Sequence, residues 1–102
     1  MSGENRVAFA GRLAEVGALR MTPGGIAVVQ FRLRHESECN EAGKNRKVRA
    51  EVESIAFEGV ARMIAAAALD SPLQVEGFLC AKSARSKKLV LHITKATFAE
   101  GD

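Results

Sequence analysis

The sequence predicts an all-β domain of five short strands with one helix between the third and the fourth. Three features support this: apolar side chains alternate along five segments, an alanine-rich segment interrupts them, and glycine or proline turns separate them. The 102 residues suffice for one domain, residues 1–102, and are too few for two. With 47% hydrophobic and 26% charged residues, the composition is that of a folded globular chain.

Three strands precede the helix. The first contains "RVAFAGRLA", in which Gly11 indicates a bulge or a sharp bend. After the turn "MTPGG", the second strand, "IAVVQFRLRH", has apolar side chains on one face and Arg32 and Arg34 on the other. The polar stretch "ESECNEAGKN" predicts a loop, and "RKVRAEVE" predicts a third strand with Lys47 and Arg49 facing outward.

The helix and the last two strands follow. The segment "SIAFEGVARMIAAAALD" predicts a helix because alanine favours helices, with Ser54 as its N-cap, Gly59 weakening its start and Phe57 in the core. Alternation resumes in "LQVEGFLCA" and "KLVLHITKATF", where Phe78 has outward parity. Between these strands, residues 82–88 contain four basic side chains and no acidic one, which predicts an exposed cationic loop.

This order of elements matches the OB-fold, a five-stranded Greek-key barrel. In that fold, the outer face of the second and third strands and the loop between the fourth and fifth bind oligonucleotides. The candidate nucleic-acid-binding residues are therefore Arg32, Arg34, Lys44, Arg46, Lys47, Arg49, Lys82, Arg85, Lys87 and Lys88. We expect the outward cations of the second and third strands to form one patch, flanked by the loops at 36–46 and 82–88.

Charge and aromatic content favour an electrostatic mode of binding. The net charge is +3, and the basic segments are separated along the sequence from acidic residues such as Glu36, Glu38 and Glu41. This segregation indicates a polyanionic partner, with two solvated loops as the alternative interpretation. All five aromatic residues are phenylalanine, and Phe78 is interpreted as either a base-stacking platform or a subunit contact.

Catalytic and metal-binding patterns are absent from the sequence. Glu51 and Glu53 are interpreted as balancing nearby cations, so no enzymatic activity is predicted. His35, Cys39 and His92 lack the spacing of a zinc site, so neither a metal nor a cofactor is expected. The sequence has no long apolar run and no signal peptide, which predicts a cytoplasmic protein without a membrane association.

Three segments, "NRVAFAGRL", "TPGGIAVVQFRLRHESECNEAG" and "VEGFLCAKSARSKKLVLHI", together resemble the family of bacterial primosomal replication protein N (PriB). This family is related to single-stranded DNA-binding protein, and the resemblance extends over nearly the whole chain. It implies a non-catalytic homodimer that binds single-stranded DNA. It also implies a role in replication restart with the PriA helicase and the helicase-loading protein of the primosome.

The resemblance places Arg34, Lys47, Arg49 and the cations of residues 82–88 on strands and loops that the family uses for DNA. Some relatives carry aromatic residues at the positions of Lys44 and Arg49, so it implies less base stacking here. Two alternatives stay open: an OB-fold adaptor that binds protein partners and little DNA, and a general single-strand-binding protein without a tail. The short ending "FAEGD" is unlike the long tail of general single-strand-binding proteins, which favours the restart protein.

Overall fold

The computed structural model describes residues 3–99 of the chain, which contain six strands and one helix. In chain order they are β1 (Val7–Val16), β2 (Arg20–Met21), β3 (Ala27–Glu41), β4 (Lys44–Phe57), α1 (Glu58–Ala65), β5 (Pro72–Ala81) and β6 (Leu89–Phe98). The five long strands and the position of the helix confirm the predicted order. Strand β2 adds two residues that pair with the start of β3 and was not predicted.

The five long strands close into a barrel. They are ordered β1-β5-β6-β4-β3, and an additional pairing of β1 with β3 joins the two ends. Strand β1 pairs with β5 through its residues 7–12 and with β3 through residues 12–16, so it belongs to both sides of the barrel. All neighbours are antiparallel except β4 and β6, which run parallel. This closure confirms the predicted OB-fold barrel.

The core follows the predicted alternation along the strands. Its buried members include Leu13, Val29, Phe31, Leu33, Leu73, Val75, Leu91 and Ile93, and α1 contributes Ala61 and Ile64. Two residues assigned to the same faces lie outside the core, because Leu79 is 37% exposed and Leu89 is 56% exposed. Both are near the ends of β5 and β6 that lead into residues 82–88, beyond the packed part of the barrel.

Helix α1 begins later than the sequence indicates. Ser54 is not its N-cap: it is buried in β4, where its hydroxyl donates to the carbonyl of Val52. Pairing between β3 and β4 continues as far as Val28 and Phe57, so the strand prevails over the local helix preference. Glu58 then starts the helix in a left-handed conformation (φ 57°), and its carboxylate accepts the N–H of Ala27 at 3.0 Å.

Glycine is required at one point where the backbone of β5 approaches its neighbour β6 closely. A Cβ atom on Gly77 would overlap the carbonyl oxygen of His92. The pairing of these strands shifts between Glu76 and Gly77, where Thr94 is the extra residue of a bulge on β6. Gly11, expected at a bend, instead allows β1 to approach the backbone of Arg34, whose carbonyl oxygen would lie 2.8 Å from an added Cβ.

The segment at 36–46, predicted as a loop, is a two-stranded ribbon. Strands β3 and β4 stay paired out to Glu41 and Lys44, and the turn between them consists of Ala42 and Gly43 alone. Both turn residues have positive φ, 54° and 82°, as two-residue hairpins of type I′ require. We call the outer part of this hairpin, residues 36–49, the ribbon.

Candidate nucleic-acid interface

The outward face of β3 and β4 carries a ladder of opposite charges. Four directly opposed pairs form this charge ladder: Arg32 with Glu53, Arg34 with Glu51, Glu36 with Arg49, and Glu38 with Lys47. The four basic residues share this face, as predicted, but each of them has a carboxylate directly opposite it, so the face is not a purely cationic patch. The acidic and basic segments are separate along the sequence, but the hairpin folds one directly onto the other, and opposite charges across strands stabilise this register.

Lys44 and Arg46, also predicted to join the basic surface, lie on the other face of the ribbon. The hairpin register places Arg46 opposite Cys39 and Lys44 opposite Glu41, out of phase with Lys47 and Arg49. The Arg46 guanidinium makes an ion pair with Glu41, with Nε 2.7 Å from Oε1. A single strand lying along the charge ladder would be on the opposite face of the ribbon from these two cations.

Further ion pairs hold the cations nearest the barrel. The Arg32 guanidinium lies 3.7 Å from the Glu51 carboxylate and 4.0 Å from that of Glu15. Lys82 Nζ lies 3.2 Å from Glu53 Oε2. These side chains are all at least 40% exposed, and exposed ion pairs contribute at most about 1 kcal/mol each. A phosphate group therefore competes with weakly bound carboxylates.

Residues 82–88, the cationic loop, hold the basic side chains that remain available. Arg85, Lys87 and Lys88 are exposed and have no carboxylate within 4.0 Å among residues 3–99. The loop is closed by its own backbone: the N–H of Lys82 donates to the carbonyl of Lys88 at 2.9 Å. Lys82, at the base of the loop, contacts Glu53 of β4, so the free cations project from a closed loop beside the charge ladder.

Three aromatic rings form a row on β4, β6 and β5, in which the two phenylalanines are exposed and the central histidine is half-buried. His92 stacks on Phe78, with ring centroids 4.9 Å apart, and lies 6.1 Å from Phe57 on its other side. The prediction that Phe57 lies on the helix and in the core is wrong, because it ends β4 and is 40% exposed. Phe78 faces outward as predicted and is 37% exposed. An aromatic row of this kind offers flat apolar surface to a base or to another protein.

Other chemistry gains no support from the described residues. His35 is half-buried and forms hydrogen bonds, with Nδ1 2.6 Å from the carbonyl of Ala10 and Nε2 2.8 Å from the Ser37 hydroxyl. Within residues 3–99, no three side chains of the metal-ligating types are grouped to hold an ion. In the same range, no helix is long and apolar enough to cross a membrane.

The predicted site residues thus divide by geometry. Four have a carboxylate partner within 4.0 Å: Arg32, Arg34, Arg46 and Lys82. Six have none in the part of the chain that the structure describes: Lys44, Lys47, Arg49, Arg85, Lys87 and Lys88. Their role as DNA ligands stays a prediction. Sequence inspection missed the aromatic row because Phe57 was assigned to the helix.

Comparison with known proteins finds relatives that match most of the chain. Residues 5–95 match a family model described as another single-strand binding protein family. The Replication restart protein PriB of Bordetella pertussis is 36% identical, over 90% of this chain and 86% of its own length. That of Nitrosomonas europaea is 34% identical, over 87% of this chain and 82% of its own.

Solved structures agree with these sequence matches. A structure of PriB from Ralstonia solanacearum superposes with a TM-score of 0.85 at 26% identity, covering 96% of this chain and all of the other. The single-stranded DNA binding protein of Thermus aquaticus, at 24% identity, shares the fold with a TM-score of 0.77 over 97% of this chain and 52% of its own. The chain belongs to the single-strand binding protein family and, within it, to the PriB replication restart proteins.

Proposed function

We propose that this protein is a non-catalytic single-stranded DNA-binding component of the primosome. It acts in replication restart in the cytoplasm, together with the PriA helicase and the protein that loads the replicative helicase. The restart role follows from membership of the PriB family. The observation that carries DNA binding is the cationic loop, where Arg85, Lys87 and Lys88 are exposed and free of carboxylate partners among the described residues.

The free cations are better suited to binding a flexible polyanion than to holding a small ligand in a fixed pocket. Lysine and arginine side chains on a loop follow a phosphate backbone without reading its bases, because they contact charge and not base edges. The base of the loop lies next to β4, where Lys82 contacts Glu53, so a strand held by the loop can continue along the charge ladder. There, Lys47 and Arg49 are the cations without an ion pair in the described residues.

The homodimer is part of the same proposal. Residues 7–11 of β1 pair with β5 on one side, whereas pairing with β3 begins only at Arg12. The other edge of this half-strand therefore carries backbone groups without a strand partner in the described chain. Exposed strand edges favour pairing with a second chain. We propose that two copies associate through this part of β1.

The test of DNA binding is fluorescence anisotropy with a labelled oligothymidylate. Replacing Arg85, Lys87 and Lys88 together by alanine should weaken binding by at least about tenfold, because three phosphate contacts are lost. The matched control removes three exposed cations elsewhere, through Arg20→Ala, Arg62→Ala and Lys95→Ala. Equal affinity of the two variants, both folded, would remove the cationic loop from the site.

A second candidate is a protein-binding adaptor on the same fold. The charge ladder favours it, because four carboxylates oppose the four cations of that face and leave little net attraction for DNA. The aromatic row of Phe57, His92 and Phe78 gives such an adaptor an apolar contact surface. Retention of PriA by a wild-type protein that does not bind single-stranded DNA would establish the adaptor and reject DNA binding.

A further inference from the structure

Two arginines face each other across the pairing of β1 and β3. Arg12 is directly opposite Arg34, on the outward side of the barrel. Like charges in directly opposed positions are destabilising unless an anion lies between them. Arg12 is outside the set of cations that the sequence pointed to, because it is a single basic residue within an apolar strand.

Asp70 supplies the anion. Its Oδ1 lies 2.7 Å from Nη2 of Arg34, and its Oδ2 lies 3.9 Å from Nη1 of Arg12. The same Arg12 Nη1 donates a hydrogen bond to the backbone carbonyl of Asp70 at 2.9 Å. One carboxylate thus serves two guanidinium groups and leaves an excess of one positive charge.

The backbone, more than the side chain, fixes Asp70 in this place. Its N–H donates to the carbonyl of Leu13 at 2.7 Å, and the N–H of Leu13 donates to the carbonyl of Ser71 at 3.1 Å. Asp70 adopts a left-handed conformation, with φ of 70°, which non-glycine residues rarely adopt and which aspartate and asparagine tolerate best. The carboxylate itself is 64% exposed, so an incoming anion reaches it from solvent.

We propose that Arg12 and Arg34 form a phosphate-binding site that Asp70 occupies in the free protein. The proposal rests on the proposed function, because the ligand is a backbone phosphate of the single strand. Paired guanidinium groups recognise phosphate oxygens through planar, two-pronged hydrogen bonds, and a phosphodiester carries the same single charge as the carboxylate. The site opens into a cleft of about 590 Å³ that also has Gln74 and a second carboxylate, Glu36, along its wall.

In this proposal, binding requires that a phosphate replace the Asp70 carboxylate between the two arginines. In the wild-type protein a phosphate must displace the Asp70 carboxylate, so this site adds little to the net attraction. Asp70→Asn keeps the side-chain shape and the tolerance for positive φ but removes the competing charge. Both arginines then become available to phosphate.

The test is a cycle of four proteins: wild type, Asp70→Asn, Arg12→Gln and the double variant. Asp70→Asn should bind oligothymidylate about three- to fivefold more tightly, the range expected when an exposed ion pair stops competing. Its slope of log affinity against log salt should be steeper by about 0.7 to 1.4, for one or two added phosphate contacts. Adding Arg12→Gln should reduce the gain, because only Arg34 is then left to bind the phosphate. Glu76→Gln, on β5, makes the same charge change at a carboxylate without an ion pair among the described residues and should leave affinity unchanged.

The possible results distinguish a failure of the phosphate-binding site from a failure of the proposed function. Unchanged affinity and slope in a folded Asp70→Asn variant, or a gain that Arg12→Gln does not reduce, would overturn the proposal. If the wild type does not bind single strands, the proposed function fails. In that case a titration of Asp70→Asn with inorganic pyrophosphate, followed by the arginine Nε NMR signals, decides whether the site exists. Shifts confined to Arg12 and Arg34 support it, and their absence rejects it.

Discussion

Glu36 of β3 lies directly opposite Arg49 of β4, on the outward face that carries basic residues predicted to bind DNA. The same register opposes Glu38 to Lys47, so each basic residue of the ribbon's outer face has an acidic neighbour. These carboxylates offset the attraction of the ribbon for phosphate, since a bound strand must approach both signs of charge. The charge balance of the ribbon therefore limits its affinity for DNA.

Removing the two ribbon carboxylates should strengthen DNA binding. In the variant Glu36→Gln with Glu38→Gln, the amides keep the side-chain size, and Arg49 and Lys47 lose their acidic neighbours. We expect affinity for oligothymidylate to rise about three- to tenfold at low salt, measured by fluorescence anisotropy. Glu76→Gln with Glu4→Gln makes the same change in net charge on exposed residues off the ribbon. An equal rise in that control would mean that the ribbon has no special role.

Replacing Gly77 should test the barrel independently of any ligand. In Gly77→Ala the new methyl group would overlap the carbonyl of His92, so β5 or β6 must shift. We expect the free energy of unfolding to fall by about 3 kcal/mol or more in urea denaturation. Gly24→Ala is the matched control, because its nearest neighbour would be Thr22 Oγ1 at 3.9 Å. A similar decrease in the free energy of unfolding of the two variants would contradict the close approach of β5 and β6 at Gly77.

Much of the fold was predictable because burial produces a pattern in the sequence. Residues such as Phe31 and Leu33 alternate with Arg32 and Arg34, and the structure buries the first pair and leaves the second at the surface. A strand with one buried face gives this period-two signal, and it also fixes the register with neighbouring strands. The order of the strands followed from that signal, and the helix followed from the alanine-rich segment that interrupts it.

The charge ladder could not be predicted in the same way. Neither face of the ribbon is buried, so residues 36–41 and 44–49 show no apolar alternation that marks a strand. The turn that sets their register is Ala42-Gly43, a weaker signal than the Asn-Gly or Asp-Gly of most two-residue hairpins. If the chain is folded back at this turn, the acidic residues at 36, 38 and 41 fall opposite the basic residues at 49, 47 and 44, respectively. Checking the sequence for this complementarity would have found the pairing.

The position of Phe57 was missed for a different reason. Alanine-rich sequence after it indicated a helix, yet pairing with Val28 keeps Phe57 in β4, and Glu58 makes the sharp change of direction. Long-range pairing thus prevailed over local preference. The contact of Asp70 with Arg12 and Arg34 joins residues distant in the sequence, which no local pattern indicates.

Association into a homodimer should be measurable in the absence of DNA. Light scattering at micromolar concentration should give twice the chain mass, because the free edge of β1 at residues 7–11 then pairs with a second copy. Dilution should lower the mass towards that of one chain. A constant monomer mass at all concentrations would refute the association and leave this edge exposed.

The salt dependence of binding tests the central claim most directly. Affinity for oligothymidylate is measured over a range of salt concentrations for the wild type and for a variant with Arg85, Lys87 and Lys88 changed to glutamine. If the wild type contacts about four to six phosphates, the slope of log affinity against log salt should be about −3 to −4. The loop variant should be shallower by about 2, for three lost contacts. A wild-type slope near −1 with tight binding kept at high salt, or an unchanged slope in the folded loop variant, would contradict an interface built on free cations.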